Sequence, residues 1–381
     1  DFARENIRQN NAAGGADAAA PPWNSDPASE IPPTTPSRPK KRKSKKAMGL
    51  AKPSPMAKPR KPLSEAKRKP KVNDSAAEKA QLRKPVSRDP SRDLKQIGYH
   101  YLGPIAAGAY STILRATIQD SNVMVAVKTF DNGKCAKDKA IGKARDRELM
   151  VLRLLRSEDE RGHKHIANLV AEHETPQTMF AVLEYCGGGS LQRLLQQQQA
   201  RGPLGMCGMD APRVADLAKQ LASALKYLHS CGVAHRDIKP GNILFDAEGA
   251  LKLCDFGFAT RCHDHELKQQ CGTPSFFAPE LTMAHEGYLG RPVDMWALGC
   301  VLFEMLHGLP AFSGGSVEQL FTRIRAANHV PFAPDLPGEA RSIISALLTR
   351  DPTERITAAA LLDEPWIRSA PQTSPLAPKK E

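Results

Sequence analysis

The run His235-Arg-Asp-Ile-Lys-Pro-Gly-Asn242, followed by Cys254-Asp-Phe-Gly257, decides how this chain is read. Asp237, Lys239 and Asn242 place an acid, a cation and an amide in one short stretch that also carries Pro and Gly, the punctuation of a loop. Asp255 adds a second acid next to a Gly-bounded turn. Any one of these is a commonplace loop residue; their joint order is not. Phosphoryl transfer needs little covalent help from a protein. It needs phosphates held, metal ions held, charge neutralised and a hydroxyl aimed. Asp237 would accept or orient the hydroxyl proton, and Lys239 would sit near the transferred phosphate. Asn242 and Asp255 would each lend an oxygen to Mg²⁺, a hard cation that takes oxygen ligands and keeps water.

Working upstream, Val125-Ala-Val-Lys128 closes an alternating apolar run over 123–130 that reads as a strand. Glu148 lies on a helix expected over 143–156, where Leu149, Leu152 and Leu155 recur at helical spacing. A lysine reaching ATP phosphates needs a carboxylate to hold it, and Glu148 can supply one. The stretch 180–185 reads as another strand. The stretch 211–230 reads as a helix with Leu217, Leu221, Leu225 and Leu228 on one face. From Asp294 onward the pattern is helical, and Gln196–Gln199 extends a surface helix or loop. Strands come first and helices later, which predicts an α+β domain: a small sheet-rich lobe, then a larger helical one.

Composition separates this domain from its flanks. The formal charge of +13 belongs entirely to residues 1–98, where 23 basic residues face 10 acidic ones; the remainder is balanced at 31 against 31. That first segment, rich in Pro, Ala and charge, is expected to be disordered, because it cannot bury enough apolar area to offset its ordering entropy. Within it, Arg38-Pro-Lys-Lys-Arg-Lys-Ser-Lys-Lys46 carries seven cations in nine positions. Besides a solvated tail, this reads as a nuclear-import signal or as a nucleic-acid or acidic-membrane contact; import through a receptor comes first, because Pro-Lys-Lys-Arg-Lys resembles a monopartite signal. Residues 368–381 form a second expected disordered tail. The 8 cysteines are scattered with no CxxC pair, the pattern of reduced thiols in an intracellular protein, nuclear or cytoplasmic. No apolar run is long enough to span a membrane.

At this point the chain resembles the eukaryotic protein kinases of the serine/threonine type, from Tyr99 to Trp366. Further motifs carry the resemblance. Ala278-Pro-Glu280 resembles the end of an activation segment, with Arg355 as the ion-pair partner of Glu280. Asp294 resembles the helix residue that anchors the catalytic-loop backbone. Lys239 together with Cys271-Gly-Thr-Pro274 is similar to serine/threonine rather than tyrosine kinases. The resemblance implies a bilobal fold, with an antiparallel-sheet N-lobe over 99–184 holding one main helix and a mainly helical C-lobe over 187–367. It implies ATP and Mg²⁺ as cofactors and protein substrates. Asp237, Lys239, Lys128 and Glu148 become the catalytic set. Ile105, Ala106, Gly108, Ile113, Ala126, Glu184, Cys186 and Leu244 join Lys128 around ATP, and Asn242 and Asp255 hold the metal. Arg236, Thr273, Glu280, Asp294 and Arg355 become structural. Leu152, Leu169, His235 and Phe256 would stack as a regulatory spine. The segments Gly272–Glu280 and Gly287–Trp296 are similar to those of calcium/calmodulin-dependent kinase kinases and related upstream kinases. No basic amphipathic helix follows the domain, so calmodulin is not an expected partner; oligomeric state is not legible.

Three departures bear on function. The glycine-rich loop reads Ile105-Ala-Ala-Gly-Ala-Tyr-Ser-Thr-Ile113 and keeps only its middle glycine, Gly108. The activation segment from Arg261 to Gly272 has no Ser, Thr or Tyr, so Arg236 lacks a phosphate partner; Asp264 or Glu266 could neutralise it, and activity without activation-loop phosphorylation is expected. Ser190 and Gly241 stand where arginine-selecting relatives often carry acids. By the resemblance, Phe258, large and unbranched at Cβ, implies serine over threonine as acceptor, and Phe277 with Pro274 an apolar pocket for the next residue. Cys254 is expected to face the nucleotide pocket with modest reactivity. Two other classes of function stay open: a nucleotide-binding scaffold, supported by the thinned glycine loop, and a nuclear binding module built on the basic tail.

Overall fold

The computed structural model describes residues 90–108, 111–158, 162–199, 208–262 and 266–371. The 38–46 cluster, the rest of the expected N-terminal tail up to residue 89, Asp264 and the chain from 372 onward lie outside these residues.

Strands β1 (Tyr99–Ala107), β2 (Ser111–Ile118), β3 (Met124–Asp131), β4 (Leu169–Glu174) and β5 (Thr178–Glu184) form an antiparallel sheet in the order β1-β2-β3-β5-β4. Alternation divides each strand between two faces. Leu114, Ala116, Val125, Val127, Phe180 and Val182 are buried together on one face. Cross-strand pairing of Ala106 with Ile113, Ile113 with Lys128, and Ala126 with Leu183 gathers the expected nucleotide residues on the other.

The ordered body begins before Tyr99, which corrects the expected boundary. Pro90–Gln96 forms helix α1, and its Leu94 is completely buried against the outer face of the sheet beside Tyr99 and Val125. Burying one leucine contributes about 1.5–3 kcal/mol. Leu94 and Ile97 are the only apolar residues between Pro90 and Gly98, too few for hydrophobic periodicity to mark this stretch as ordered.

A short helix α2 (Asn132–Lys137), capped by the Asp131 carboxylate at the Lys134 amide, leads into α3 (Lys139–Glu158). Helix α3 starts earlier than periodicity suggested and buries Leu149, Leu152 and Leu155. In the helical lobe, β6 (Gly189–Ser190) and α4 (Leu191–Gln199) precede α5 (Ala211–Ser230). The Asp210 side chain caps α5 at the Arg213 amide, and Leu217, Leu221, Leu225 and Leu228 are buried as their spacing required. Short strands β7 (Val233–Ala234), β8 (Ile243–Phe245), β9 (Leu251–Leu253) and β10 (Thr260–Arg261) carry the motif loops between them.

Helix α6 (Gly290–His307) is buried at every residue from Val293 to Phe303, the mark of a helix inside a lobe rather than on its surface. At Gly299 a Cβ would lie 2.8 Å from the Leu347 Cβ, so glycine permits the close approach of α8 (Gly338–Leu347). Helices α7 (Val317–Arg325), α9 (Ala358–Asp363) and α10 (Pro365–Arg368) complete the lobe. One continuous core runs from Leu152 on α3 through Leu169 and Phe256 to Trp296. The described residues thus show the α+β, two-lobed arrangement that the motifs implied.

Candidate active site

Strand β3 delivers Lys128 to the cleft, and α3 delivers Glu148 opposite it. Lys128 Nζ lies 2.5 Å from Glu148 Oε1 and 3.0 Å from Asp255 Oδ1. Lys128 and Glu148 are buried, whereas the Asp255 side chain keeps 45% of its exposure, so one carboxylate opens to the cleft. Burial opposes the charged lysine, but the two carboxylates outweigh it and raise the Lys128 pKa. Burial alone would raise the Asp255 carboxyl; the Lys128 ammonium outweighs that and holds it below the usual carboxylate range.

The loop after β7 assembles around Asp237. Its Oδ2 accepts from Lys239 Nζ at 2.7 Å and from Asn242 Nδ2 at 3.0 Å; its Oδ1 accepts from Thr273 Oγ1 at 2.8 Å. Lys239 Nζ also donates to Thr273 Oγ1 at 3.0 Å. Asn242 Nδ2 donates as well to the Asp237 carbonyl at 2.9 Å. Both partners of that nitrogen are acceptors, so the amide orientation is determined and its oxygen is the atom left to offer. The residues present therefore fit a hard cation: one amide oxygen from Asn242 and one open carboxylate from Asp255. No cluster of three or more His, Cys, Asp or Glu able to hold a metal occurs among the described residues, so phosphate and water oxygens would fill the rest of the shell.

Two of the four non-glycine residues with positive φ among the described residues lie at this site. Arg236 and Asp255 have φ of 66° and 65°, the left-handed region that side chains seldom adopt. The fully buried Asp294 carboxylate holds the first of these by accepting from the His235 amide at 2.9 Å and the Arg236 amide at 2.7 Å. His235 donates through Nε2 to the Cys254 carbonyl at 3.1 Å and accepts the Asp237 amide at Nδ1. Its ring packs 5.2 Å from that of Phe256, and Leu152 and Leu169 lie in the same core. Gly272 has φ +102°, and a Cβ there would fall 2.5 Å from the Arg236 carbonyl. Only glycine lets Thr273 reach Asp237. Farther on, Arg355 grips Glu280 with both terminal nitrogens, at 2.7 and 3.1 Å, and stacks over Trp296.

The expected nucleotide residues are brought together unevenly. Ala126 and Leu244 are partly open between buried neighbours on β3 and β8, and Ile105 is exposed. Gly108 donates its amide to the Ser111 carbonyl at 2.8 Å, closing the turn between β1 and β2. The Glu184 carboxylate is held by Lys252 at 2.6 Å and faces Asn168. Cys186 lies beside it, its thiol pushed up to about 12 by burial and by Glu184. Cys254 is partly buried, and its thiol is held well above the ordinary range by desolvation and by Asp255. Lys128 pulls the other way and does not offset them. Phe258 is half-exposed after the Asp-Phe-Gly turn. Phe277 is buried and stacked on Phe321, so it offers at most the floor of an acceptor pocket.

A family profile described as Protein kinase domain matches residues 99–367. The chain belongs to the protein kinase family. This kinase is 35% identical over 278 residues to the serine/threonine-protein kinase RUNKEL of Arabidopsis thaliana, a match covering 71% of this chain and 18% of RUNKEL. It is 30% identical over 265 residues to Aurora kinase C of Mus musculus, covering 70% and 90% of the two chains. It is 32% identical over 266 residues to the serine/threonine-protein kinase Sgk1 of Homo sapiens, covering 69% and 58%. The kinase thus spans under a fifth of RUNKEL and a little over half of Sgk1. RUNKEL and Sgk1 are serine/threonine-protein kinases by name; the finer likeness to calcium/calmodulin-dependent kinase kinases stays an expectation of the sequence.

Two residues at this site were not picked out from the sequence. Lys252, buried and bound to Glu184, reads as an ordinary strand lysine. Tyr288 reads as a loop aromatic, yet it is buried against Arg236, 52 positions away in the chain. No local signal marks either one.

Proposed function

We propose that this serine/threonine kinase transfers the γ-phosphate of Mg-ATP to protein hydroxyls without needing a phosphate on its activation segment. The observation that carries the reading is the closed triad Lys128–Glu148–Asp255 in a chain whose segment Arg261–Gly272 has no hydroxyl to phosphorylate. In this reading Lys128 positions the nucleotide phosphates and Glu148 holds Lys128. Asp237 takes or orients the acceptor proton, and Lys239 steadies charge on the moving phosphoryl group. Mg²⁺, held by Asp255 and Asn242, would neutralise the phosphates. Ile113, Ala126 and Leu244 would enclose adenine. A scaffold would have no use for this complete set.

The test is direct. Enzyme stripped by phosphatase, and shown by mass spectrometry to carry no phosphate between residues 260 and 280, should still phosphorylate a protein substrate with Mg-ATP. Loss of turnover on dephosphorylation at a mapped site there would overturn the reading. We also propose nuclear import through residues 38–46, because seven cations within nine positions suit an acidic receptor groove. Alanine at Lys40, Lys41, Arg42 and Lys43 should move a fluorescent fusion toward the cytoplasm; an unchanged distribution would exclude this role.

A further inference from the structure

Arg236 is buried, yet its guanidinium has no carboxylate partner among the described residues. Of the two acids expected to neutralise it, Asp264 lies outside those residues. Glu266 faces elsewhere: a Cβ on Gly287 would fall 2.5 Å from its Oε2. The guanidinium donates to two neutral oxygens instead. Its Nε reaches the Phe258 carbonyl at 2.9 Å, and a terminal nitrogen reaches the Tyr288 hydroxyl at 2.9 Å. That hydroxyl donates onward to the Gln269 carbonyl at 2.7 Å. Tyr288 keeps 3% of its exposure. Its backbone is tied to the same segment, the Leu267 amide donating to the Tyr288 carbonyl at 2.8 Å and the Tyr288 amide to the Leu267 carbonyl at 2.9 Å.

One phenol therefore joins three pieces of the machinery: the catalytic loop at Arg236, the turn after Asp-Phe-Gly through the other branch of the same guanidinium, and the activation segment at Gln269. A buried cation left with unpaired N–H groups is costly. The hydroxyl removes that cost only while Gln269 and Arg236 stay in place. Because it both accepts and donates, the hydroxyl bridges the Arg236 cation and the Gln269 carbonyl. A phosphate on this segment would do comparable work through charge; here the geometry is met without charge.

We infer that Tyr288 is a positioning residue that stands in for an activation-segment phosphate, holding Arg236 and Gln269 together and so keeping Asp237 and Thr273 aligned for the acceptor hydroxyl. The inference rests on the reading that the unphosphorylated enzyme is active. The experiment compares wild type, Tyr288→Phe, Arg236→Met and the double variant, all phosphatase-treated. Tyr288→Phe keeps the ring and should lower kcat about tenfold while leaving the KM for ATP within about twofold. In the Arg236→Met background the same change should cost nothing further, because the hydroxyl acts through Arg236. Hydrogen exchange should rise in peptides covering 267–272 of Tyr288→Phe, with the helical core unaltered. Full kcat in Tyr288→Phe with unchanged exchange, or an equal additional loss in the Arg236→Met background, would overturn this inference alone. An inactive unphosphorylated wild type would overturn it together with the reading beneath it.

Discussion

Lys128 and Asp255 face each other at 3.0 Å, and each depends on the other's charge. Lys128→Met and Asp255→Asn should each lower turnover at least about a hundredfold, since positioning and charge stabilisation supply most of the rate. The two differ in stability. Lys128→Met leaves the buried Glu148 without its partner; removing one member of a buried pair costs about 3–5 kcal/mol. Burial already raises the Glu148 carboxyl, so part of that cost is relieved by its protonation. Asp255→Asn should melt close to wild type, because its half-open side chain stays hydrated. Calorimetry of both variants checks this order. At Cys254, desolvation and Asp255 together disfavour the thiolate. Alkylation near neutral pH should be slower than at a free thiol in solution, and saturating Mg-ATP should slow it further. Rapid labelling measured by mass spectrometry would contradict this account. The motif residues were legible because their roles depend on order along the chain. The balance of charge at Cys254 was not, because it depends on which neighbours win after folding.

Among the elements, the link between α3 and β4 does more than connect. Its His165 carbonyl accepts the Leu253 amide at 2.9 Å, and the Ala167 amide donates to the Leu253 carbonyl at 2.9 Å, so one parallel bridge at Ile166 ties the link to β9. His165 is buried and donates through Nδ1 to the Leu251 carbonyl at 3.1 Å. Desolvation, helped by Lys164, His163 and Lys252, overcomes that bond and depresses its pKa to about 4. The stability consequence follows in sign. Above about pH 6.5 the histidine is neutral in both states. Below it the unfolded chain takes a proton that the folded chain refuses, so stability is lost as pH falls from 6.5 toward 4, on the order of 3 kcal/mol in all. His165→Gln should flatten this part of the curve when unfolding free energy is measured against pH. An unaltered slope would remove His165 as its source. A single histidine in a loop carried no such message in the sequence; its meaning comes from β9, more than eighty positions later.

On the scale of the whole molecule, the expected domain boundary meets its clearest correction at Leu94. A chain starting at Asp89 keeps α1, whereas one starting at Tyr99 loses it, uncovers the outer face of the sheet and should melt at a lower temperature. Leu94→Ala should cost about 2–5 kcal/mol, and about 2–4 °C of melting temperature for each of these, in scanning calorimetry. Equal midpoints for the two truncations would show that α1 adds nothing. By itself the sequence determined the family, the two-lobed α+β plan, the long leucine-faced helix over 211–230 and the assembly of Asp237, Lys239, Asn242 and Asp255. These are written in short motifs and in hydrophobic periodicity, both local along the chain. Tertiary structure alone decided that Leu94 belongs to the body, that Glu184 turns to Lys252, that Phe277 is buried on Phe321, and that Tyr288 answers Arg236. Each of those is a contact between residues far apart in sequence, where a side chain's role is set by what burial leaves it to bond.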